Sequence, residues 1–353
     1  MNVGGTSAWI KTLNSQLEIE GNQTFLIYGA TIYPEIEASS FHSSTTKLVP
    51  GLGKGAGILS SLHSFAETRK EILRISPDVV NTHTSKAGLI GRLAVLSLGR
   101  NRPALVHTFH GHVFSGYFSK AKVFLVLKVE RVMARFTDLV LVAGVKVKDD
   151  LVRLSVAKSD KYRIVFPGVS YQPQKKLSQS NDSSIVIGWL GRITQVKRPD
   201  RVIELAIRFP HLTFNLGGNG DLIESLQNIA PKNVNFIGWT TPEMFWPTVD
   251  VALLTSDNEA MPYSLIEAGI QGLPAVTTNV GSTSEVVLNG ETGLVVEANT
   301  DSLTSAILEL ISDSKKLSEF GLAAKSWTSS KFTPKEMALS HIEYYKEAIA
   351  LNK

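Results

Sequence analysis

The chain has no cysteine in its 353 residues, which excludes disulfide bonds and thiolate metal sites and fits a reducing compartment. It also lacks an Asp-x-Asp pair and any His and Asp cluster at ligand spacing, so we expect no metal and no cofactor. No apolar run approaches the roughly 20 residues that cross a bilayer, and no leader peptide is recognisable. These absences predict a cytoplasmic protein, either free or peripheral on the inner face of the cytoplasmic membrane.

Positive charge is concentrated in the first half of the chain. Residues 1–170 hold 21 basic and 12 acidic side chains, a net charge of +9, whereas residues 171–353 hold 15 and 20, a net charge of −5. No helix-turn-helix, zinc or RNA-binding signature accompanies the basic half, so we expect no nucleic-acid partner. An anionic membrane surface or a phosphorylated substrate suits this asymmetry better.

Buried strands and helices alternate twice along the chain, around a polar stretch at residues 171–184. The length and the 43% hydrophobic content support two cores. The pattern predicts two doubly wound parallel-sheet domains, residues 1–168 and 185–330, whose strand ends face each other across a cleft. Two helices, about 300–312 and 335–350, end the chain, and we expect the second to pack back on the first domain.

The first domain begins without its expected first strand. Gly4 and Gly5 form the kind of turn that follows a first strand and lets backbone approach a ligand, yet only Met1 to Val3 precede them. An unfilled position in a parallel sheet would leave backbone groups of two neighbouring strands unpaired. We therefore expect the chain to have been read from an internal start. The next strand, residues 24–29, is predicted to be buried.

Residues 255–287 hold two carboxylates, Glu259 and Glu267, on either side of a predicted helix start. The buried strand 251–254 precedes them, and the helix-start signals are Asn258, Pro262 and Ser264. Free N–H groups at a helix start attract anions. Acidic side chains beside a phosphate make sense if they bind hydroxyls, as a nucleotide-sugar would present. Arg192 and Lys197, on the loop after strand 184–190, would neutralise its diphosphate without a metal.

Polar side chains also follow two predicted strands of the first domain. His83 and Lys86 come after strand 78–82, and His110 and His112 after strand 103–109. The carboxyl ends of parallel strands are where open α/β sheets bind ligands. Any one of these histidines could instead be a hydrogen-bonded packing residue.

The predicted helix 118–136 carries a basic stripe and an apolar stripe. The apolar stripe, expected to face the core, consists of Leu125, Val129, Val132 and Phe136, and the basic stripe consists of Lys120, Phe124, Lys128, Arg131 and Arg135. The basic stripe is open to two interpretations, a surface that lies on anionic lipid and an ordinary solvated face.

From Asp78 to Gly168 and from Ile185 to Gly293 the sequence resembles the retaining glycosyltransferases of family 4, which have the GT-B fold. Each matching motif is weak alone, but their joint order along the chain is specific. The motifs are Gly4-Gly5, Thr82-His83-Thr84-Ser85-Lys86-Ala87-Gly88, His107-Thr108-Phe109-His110-Gly111-His112, Gly191-Arg192 with Lys197, and Glu259 with Glu267 ahead of Gly272-Leu273-Pro274.

The resemblance implies roles for the candidate residues. Arg192 and Lys197 would contact the donor diphosphate, and Glu267 would bind the ribose hydroxyls. Glu259 would hold hydroxyls of the transferred sugar, helped by the backbone amides of Ala260 and Met261. His110 would lie beside that sugar, and the loop at Gly4 and Gly5 would approach donor and acceptor. Transfer would retain the anomeric configuration by front-face substitution, without a metal.

The resemblance also suggests the substrates. The implied donor is a UDP-sugar, although Ala260 and Met261 depart from the family's usual residues and leave its sugar open. The His83 and His110 motifs are most similar to those of members that act on lipid-linked sugars in surface-polysaccharide assembly, so the expected acceptor is a glycan or lipid-linked glycan. Two alternatives remain: a nucleotide-sugar epimerase of the same fold, and an inactive nucleotide-sugar-binding protein.

Overall fold

The computed structural model describes residues 5–30, 45–53, 57–111, 120–175 and 184–353. The chain forms two compact units. Unit 1 consists of Met1–Gly168 with Pro334–Lys353, and unit 2 consists of Val169–Thr333. The polar stretch at 171–184 was expected to be a linker; its residues 176–183 lie outside the described ranges, whereas Tyr171 is buried and donates a hydrogen bond to Gln271 Oε1 at 2.5 Å.

Unit 1 contains two parallel sheets within the described residues. One pairs β1 with β2, and the other has the order β3-β4-β5-β6. The strands are β1 (Leu26–Tyr28), β2 (Thr46–Leu48), β3 (Val79–His83), β4 (Ala104–Phe109), β5 (Leu139–Val142) and β6 (Tyr162–Ile164). The helices of this unit are α1 (Gly5–Ile19), α2 (Ile58–Ile75), α3 (Ser85–Leu96), α4 (Lys120–Phe136), α5 (Val145–Arg153) and α13 (Pro334–Leu351).

The two sheets of unit 1 are not joined by a strand in the described part of the chain. β1 pairs only with β2 there, and β3 only with β4. The prediction of a buried strand at 24–29 was wrong in this respect, because β1 covers three residues that are all half-buried. A strand with one pairing neighbour lacks the cover that makes β4 and β5 fully buried.

Helix α4 is rotated relative to the sequence expectation. Leu125, Val132 and Phe136, assigned to the core, are 62%, 47% and 53% exposed. The cause is Glu130, which turns inward to form a buried ion pair with Arg92 of α3, with both carboxylate oxygens within 3.0 Å of the guanidinium. Because a buried charge requires its partner, this pair fixes which side of α4 faces the core, and the assignment of an apolar core stripe was wrong.

The last helix, α13, packs against α1 and against strands β3 and β4. Asn81 Nδ2 donates a hydrogen bond to the Tyr345 hydroxyl at 2.8 Å, and Arg163 forms an ion pair with Glu347. The chain end therefore belongs structurally to unit 1.

Unit 2 is built on one parallel sheet of six strands in the order β12-β11-β10-β7-β8-β9. The strands are β7 (Val186–Leu190), β8 (Thr213–Gly217), β9 (Val234–Gly238), β10 (Val251–Leu254), β11 (Ala275–Thr278) and β12 (Gly293–Val296). The direction of strand succession reverses between β7 and β10. Ligands of open α/β sheets bind at such a reversal, beside the carboxyl ends of the two strands.

The helices of unit 2 number seven within the described residues. They are α6 (Asp200–Arg208), α7 (Ile223–Gln227), α8 (Pro242–Phe245), α9 (Tyr263–Gln271), α10 (Thr283–Val286), α11 (Thr300–Ile311) and α12 (Ser314–Lys331). Helix α12 was not predicted, since the sequence pattern indicated only two terminal helices. Its sequence has no continuous apolar stripe; it is capped by the Asp313 side chain and packs against α9. Of all helices in the described ranges, none combines the length and apolar character needed to cross a bilayer.

Candidate functional site

The loops after β7 and β10 are joined to each other by hydrogen bonds. The Asp257 N–H donates to the Val196 carbonyl at 2.9 Å. The fully buried Thr255 hydroxyl accepts from Trp189 Nε1 at 3.0 Å and lies 3.0 and 2.9 Å from the carbonyl oxygens of Lys197 and Arg198. These bonds hold the loop that carries Lys197 at the carboxyl end of the sheet.

Lys197 and Glu259 form an ion pair in which Lys197 Nζ lies 2.5 Å from Glu259 Oε1. The Ser256 hydroxyl donates to the same carboxylate oxygen at 2.6 Å. The Glu259 side chain is 7% exposed and that of Lys197 is 22% exposed. Two residues that the sequence analysis assigned to one donor are therefore in contact, at the strand reversal of unit 2.

A network of arginine and aspartate side chains holds the Lys197 loop in place. The Arg198 guanidinium donates to Asp200 and to Asp257, the latter at 3.1 Å. Arg201 donates to the Thr255 carbonyl and to Asp257, both at 2.7 Å. Arg198 has a left-handed backbone, with φ of 50°. Arg198 and Arg201 thus pair with aspartates, whereas Lys197 pairs with Glu259.

Arg192 is exposed, and its guanidinium has no hydrogen bond or ion pair to any described residue. Its loop lies against the glycine-rich turn after β8. A Cβ on Gly218, which has φ of 126°, would come within 1.9 Å of the Gly191 carbonyl oxygen. The Ile193 N–H donates to the Asn219 carbonyl at 2.9 Å. Glycine is thus required at 218 for the Arg192 loop to lie where it does.

The segment before α9 offers unpaired backbone donors. Within the described residues the N–H groups of Ala260 and Met261 have no hydrogen-bond partner, and α9 begins at Tyr263. The Met261 side chain is buried, whereas the Ala260 carbonyl accepts from the Ser282 N–H at 3.2 Å. Free N–H groups beside a helix start bind anions.

Glu267 lies in α9, one helical turn beyond Tyr263. Burial raises the pKa of its carboxyl to about 8, and the nearby Glu243 carboxylate adds to the effect. Glu267 is therefore mostly protonated at neutral pH in the free protein.

In unit 1, His83 at the end of β3 and His110 after β4 are hydrogen-bonded to each other, Nδ1 to Nε2, at 2.8 Å. Burial lowers the pKa of His110 to about 3, with a smaller effect of His341, and it lowers the pKa of His83 well below its ordinary value. Both rings are neutral at physiological pH. Gly5 is the exposed first residue of α1, whereas Gly4 and His112 lie outside the described residues.

Other singled-out residues of unit 1 have structural partners. Lys86 Nζ donates to the Gly53 carbonyl at 3.0 Å. His107 is buried and bonded to the Thr82 hydroxyl at 2.8 Å. No group of three or more His, Asp or Glu suited to a metal ion occurs in the part of the chain that the structure describes.

Unit 2 thus contains Arg192, Lys197, Glu259, Ala260, Met261 and Glu267, and unit 1 contains His110 and Gly5. Four residues were not predicted to belong to the site, although all lie within residues 255–287: Thr255, Ser256, Asp257 and Gly281. A hydroxyl residue directly after a buried strand was the available signal for Thr255. The partners of Thr255 and Asp257, Trp189 and Val196, lie more than 50 positions away.

Two family models match the chain in succession. The model described as Glycosyltransferase Family 4 matches residues 3–172, and the model described as Glycosyl transferases group 1 matches residues 171–327.

Two bacterial relatives match most of the chain. An uncharacterized 41.2 kDa protein in the cps region of Klebsiella pneumoniae is 26% identical over 97% of this chain and 96% of its own. The UDP-Gal:alpha-D-GlcNAc-diphosphoundecaprenol alpha-1,3-galactosyltransferase of Escherichia coli is 25% identical over 75% of this chain and 74% of its own.

Solved structures share the fold at low identity. Sucrose-phosphate synthase from Thermosynechococcus elongatus superposes with a TM-score of 0.83 at 19% identity, covering 98% of this chain and 94% of that one. Anabaena HepE in complex with UDP-glucose gives a TM-score of 0.79 at 16% identity, covering 98% and 97%.

Proposed function

Because the chain belongs to the family-4 glycosyltransferases and has the GT-B fold, we propose that it transfers a hexose from a UDP-sugar to a hydroxyl of a lipid-linked glycan. In this proposal the anomeric configuration is retained and no metal is required. The observation that carries the proposal is the Lys197–Glu259 pair at the strand reversal of unit 2, with Arg192 unpartnered on the same loop within the described residues.

The donor would exchange partners with this pair. Lys197 and Arg192 would neutralise the diphosphate, together with the free N–H groups of Ala260 and Met261. Glu259, released from Lys197, would accept hydrogen bonds from hydroxyls of the transferred sugar. Two cations and two N–H groups supply the charge stabilisation that a divalent ion provides elsewhere.

Catalysis would depend on positioning and charge. As the bond from the anomeric carbon to the leaving phosphate oxygen lengthens, negative charge grows on that oxygen, and Lys197 and Arg192 stabilise it. The same oxygen would take the proton of the acceptor hydroxyl as that hydroxyl bonds to the carbon from the same face. His110 is proposed to contact the transferred sugar.

The identities of donor and acceptor are supported by the relatives. The name of the Escherichia coli relative gives UDP-Gal as donor and a diphosphoundecaprenol-linked sugar as acceptor, and HepE was solved with UDP-glucose. A panel of UDP- and GDP-sugars tested for protection against thermal unfolding would identify the donor, since a ligand at 100 times its Kd adds about 2.7 kcal/mol of stability. Protection by GDP-sugars alone would contradict a UDP-sugar donor.

Donor affinity is expected to depend on Glu267. A carboxylate can accept from two ribose hydroxyls, whereas the protonated acid cannot use both oxygens as acceptors. Since the pKa of Glu267 is raised to about 8, affinity for UDP-glucose should increase with pH between about 6 and 8, by at most about tenfold per unit. Calorimetric titration would measure it.

Two variants separate Glu267 from other titrating groups. Glu267→Gln should bind with an affinity that does not change over this pH range. Glu243→Gln removes the exposed carboxylate that helps to raise the pKa of Glu267. In this variant the affinity for UDP-glucose should therefore increase at lower pH than in the wild type. The same pH dependence in Glu267→Gln as in the wild type would contradict the assignment.

We also propose that unit 1 binds an anionic membrane surface on the cytoplasmic side. The exposed side of α4 combines apolar and basic side chains: Phe124, Leu125, Lys128, Val132, Arg135 and Phe136. Lys128 Nζ lies 4.5 Å from the centroid of the Phe124 ring. Arg131 is not part of this side, because it donates to the Leu154 carbonyl at 2.8 Å. An apolar strip bordered by basic residues suits the boundary between headgroups and acyl chains.

A second group of apolar side chains supports this orientation. Ile58, Leu59 and Leu62 in the first turns of α2 are 81%, 84% and 61% exposed. Helices α2, α3 and α4 pack side by side, and α2 and α4 both start beyond carboxyl ends of parallel strands. A membrane on this layer would place a lipid-linked acceptor near the ligand-binding edge of the sheet.

Replacing Leu125, Val132 and Phe136 together with serine is expected to lower partition into anionic vesicles by at least about tenfold, because partial insertion of each side chain contributes roughly 1 kcal/mol. Co-sedimentation would measure it. The control replaces three apolar residues of unit 2 that are more exposed than these, Ile229, Met244 and Leu322, and should partition as the wild type does. Equal partition of both triple variants would contradict this surface.

A further inference from the structure

His83 and His110 form a hydrogen-bonded pair because their strands end together. β3 and β4 are paired in register, with His83 opposite Thr108, so the residue that ends β3 and the residue that follows β4 meet at the same edge. The two rings are close to coplanar and meet edge to edge, with centroids 5.0 Å apart and planes at 27°. The hydrogen bond from ring to ring is 2.8 Å long.

Other elements hold the two rings in place. The buried Trp9 of α1 meets His110 edge-on, with centroids 5.0 Å apart at 82°. His341 of α13 also meets Trp9 edge-on, with centroids 5.9 Å apart at 74°. Thr84, directly after His83, has φ of 63°, a conformation that costs a non-glycine residue on the order of 1–3 kcal/mol and persists only where the surroundings enforce it.

The geometry restricts where the protons can be. Each neutral imidazole carries one proton, and one proton lies in the bond between His83 Nδ1 and His110 Nε2. If His83 donates, the proton of His110 is on Nδ1. If His110 donates, its Nδ1 is bare and the proton of His83 is on Nε2. Both rings therefore have the same tautomer at any moment, and a change in one requires a change in the other.

The other two ring nitrogens, His110 Nδ1 and His83 Nε2, have no hydrogen-bond partner among the described residues. The pair thus presents one N–H and one bare nitrogen to whatever binds there. We propose that His83 is a positioning residue for sugar transfer, which holds the plane of the His110 ring and sets, through the shared proton, whether His110 Nδ1 donates to or accepts from a sugar hydroxyl. This inference rests on the proposed function, in which His110 contacts the transferred sugar.

The shared proton has a spectroscopic signature that does not depend on activity. Nitrogen-15 shifts of labelled histidines distinguish the two neutral tautomers, and the variants His83→Phe and His110→Phe assign the two resonances. We expect equal tautomer populations at His83 and His110, and in His83→Phe a changed population at His110. Opposite tautomers at the two sites, or an unchanged His110 population in His83→Phe, would overturn the proposal.

Kinetics test the positioning role. His83→Phe keeps an aromatic ring but has no hydrogen-bonding atom, whereas His83→Asn places an amide near the position of Nδ1. We expect His83→Phe to lose about three- to tenfold in kcat with donor KM unchanged, and His83→Asn to recover most of it. The exposed His63 provides the matched control, and His63→Asn should have wild-type kinetics.

The outcomes distinguish this proposal from the function on which it rests. If the wild-type protein transferred no sugar, the proposed function would be contradicted. The tautomer measurement would still test whether His83 and His110 share a proton. Wild-type kinetics in His83→Phe would overturn the positioning role although the transferase activity stands. Equal losses in His83→Phe and His83→Asn, with unchanged unfolding temperatures, would also overturn it, because the hydrogen bond would then not matter.

Discussion

Replacing Lys197 with alanine is expected to lower kcat by about 10²–10³, with donor KM changed by no more than about threefold. In the free protein Lys197 is paired with Glu259, so a bound donor gains the contact of Lys197 with the diphosphate but loses that ion pair. The Lys197→Ala variant has neither the ion pair in the free protein nor the contact with the bound diphosphate. In the transition state the charge on the leaving phosphate grows, and only the wild type has the cation to meet it.

The matched control for this variant is Lys232→Ala. Lys232 is an exposed lysine of the same unit, without a partner among the described residues, and its loss should leave both constants unchanged. Steady-state kinetics with the identified donor would measure both variants. If Lys197→Ala weakened donor binding as much as it lowered turnover, Lys197 would only anchor the donor.

Replacing Gly281 with alanine is expected to lower the rate of sugar transfer at least about 10²-fold and to weaken donor binding. Gly281 has φ of 53°, and a Cβ there would lie 1.6 Å from the Glu259 carbonyl oxygen, a distance that forces the backbone to move. The residues displaced would be Glu259 and Ala260, which carry the proposed sugar and phosphate contacts. A misplacement of about 1 Å in such a site costs about 10²-fold in rate.

Gly290 provides the control that separates steric overlap from backbone strain. It also has a positive φ, 80°, but a Cβ there meets no atom within 4 Å. Gly290→Ala should cost roughly 1–2 kcal/mol of stability and keep donor affinity, as calorimetry and thermal unfolding would show. Equal loss of donor binding in the two variants would mean that the Glu259 loop is not specifically dependent on Gly281.

Parts of this account could be predicted from sequence because the determining pattern is local. The apolar run at 251–254 forms β10 with the predicted bounds, and the start of α9 follows the polar residues after it. Lys197 and Glu259 were both expected at one donor site, whereas their direct contact depends on the pairing of β7 with β10.

The remainder depends on partners distant in sequence. The orientation of α4 is set by Glu130, whose partner Arg92 lies on another helix. The pattern of apolar residues in α4 does not indicate that ion pair. Helix α12 was missed because its contacts with α9 rather than its own periodicity stabilise it. The hydrogen bond between His83 and His110 likewise requires the pairing of β3 with β4.

The most direct test of the central claim is transfer from the UDP-sugar found in the donor panel to a lipid-linked glycan, with a chelator present and the product's anomeric configuration read by NMR. We expect a glycosylated lipid in which the donor's configuration is retained, at a rate unaffected by the chelator. An inverted product, a requirement for added divalent metal, or conversion of the UDP-sugar without any acceptor would contradict it.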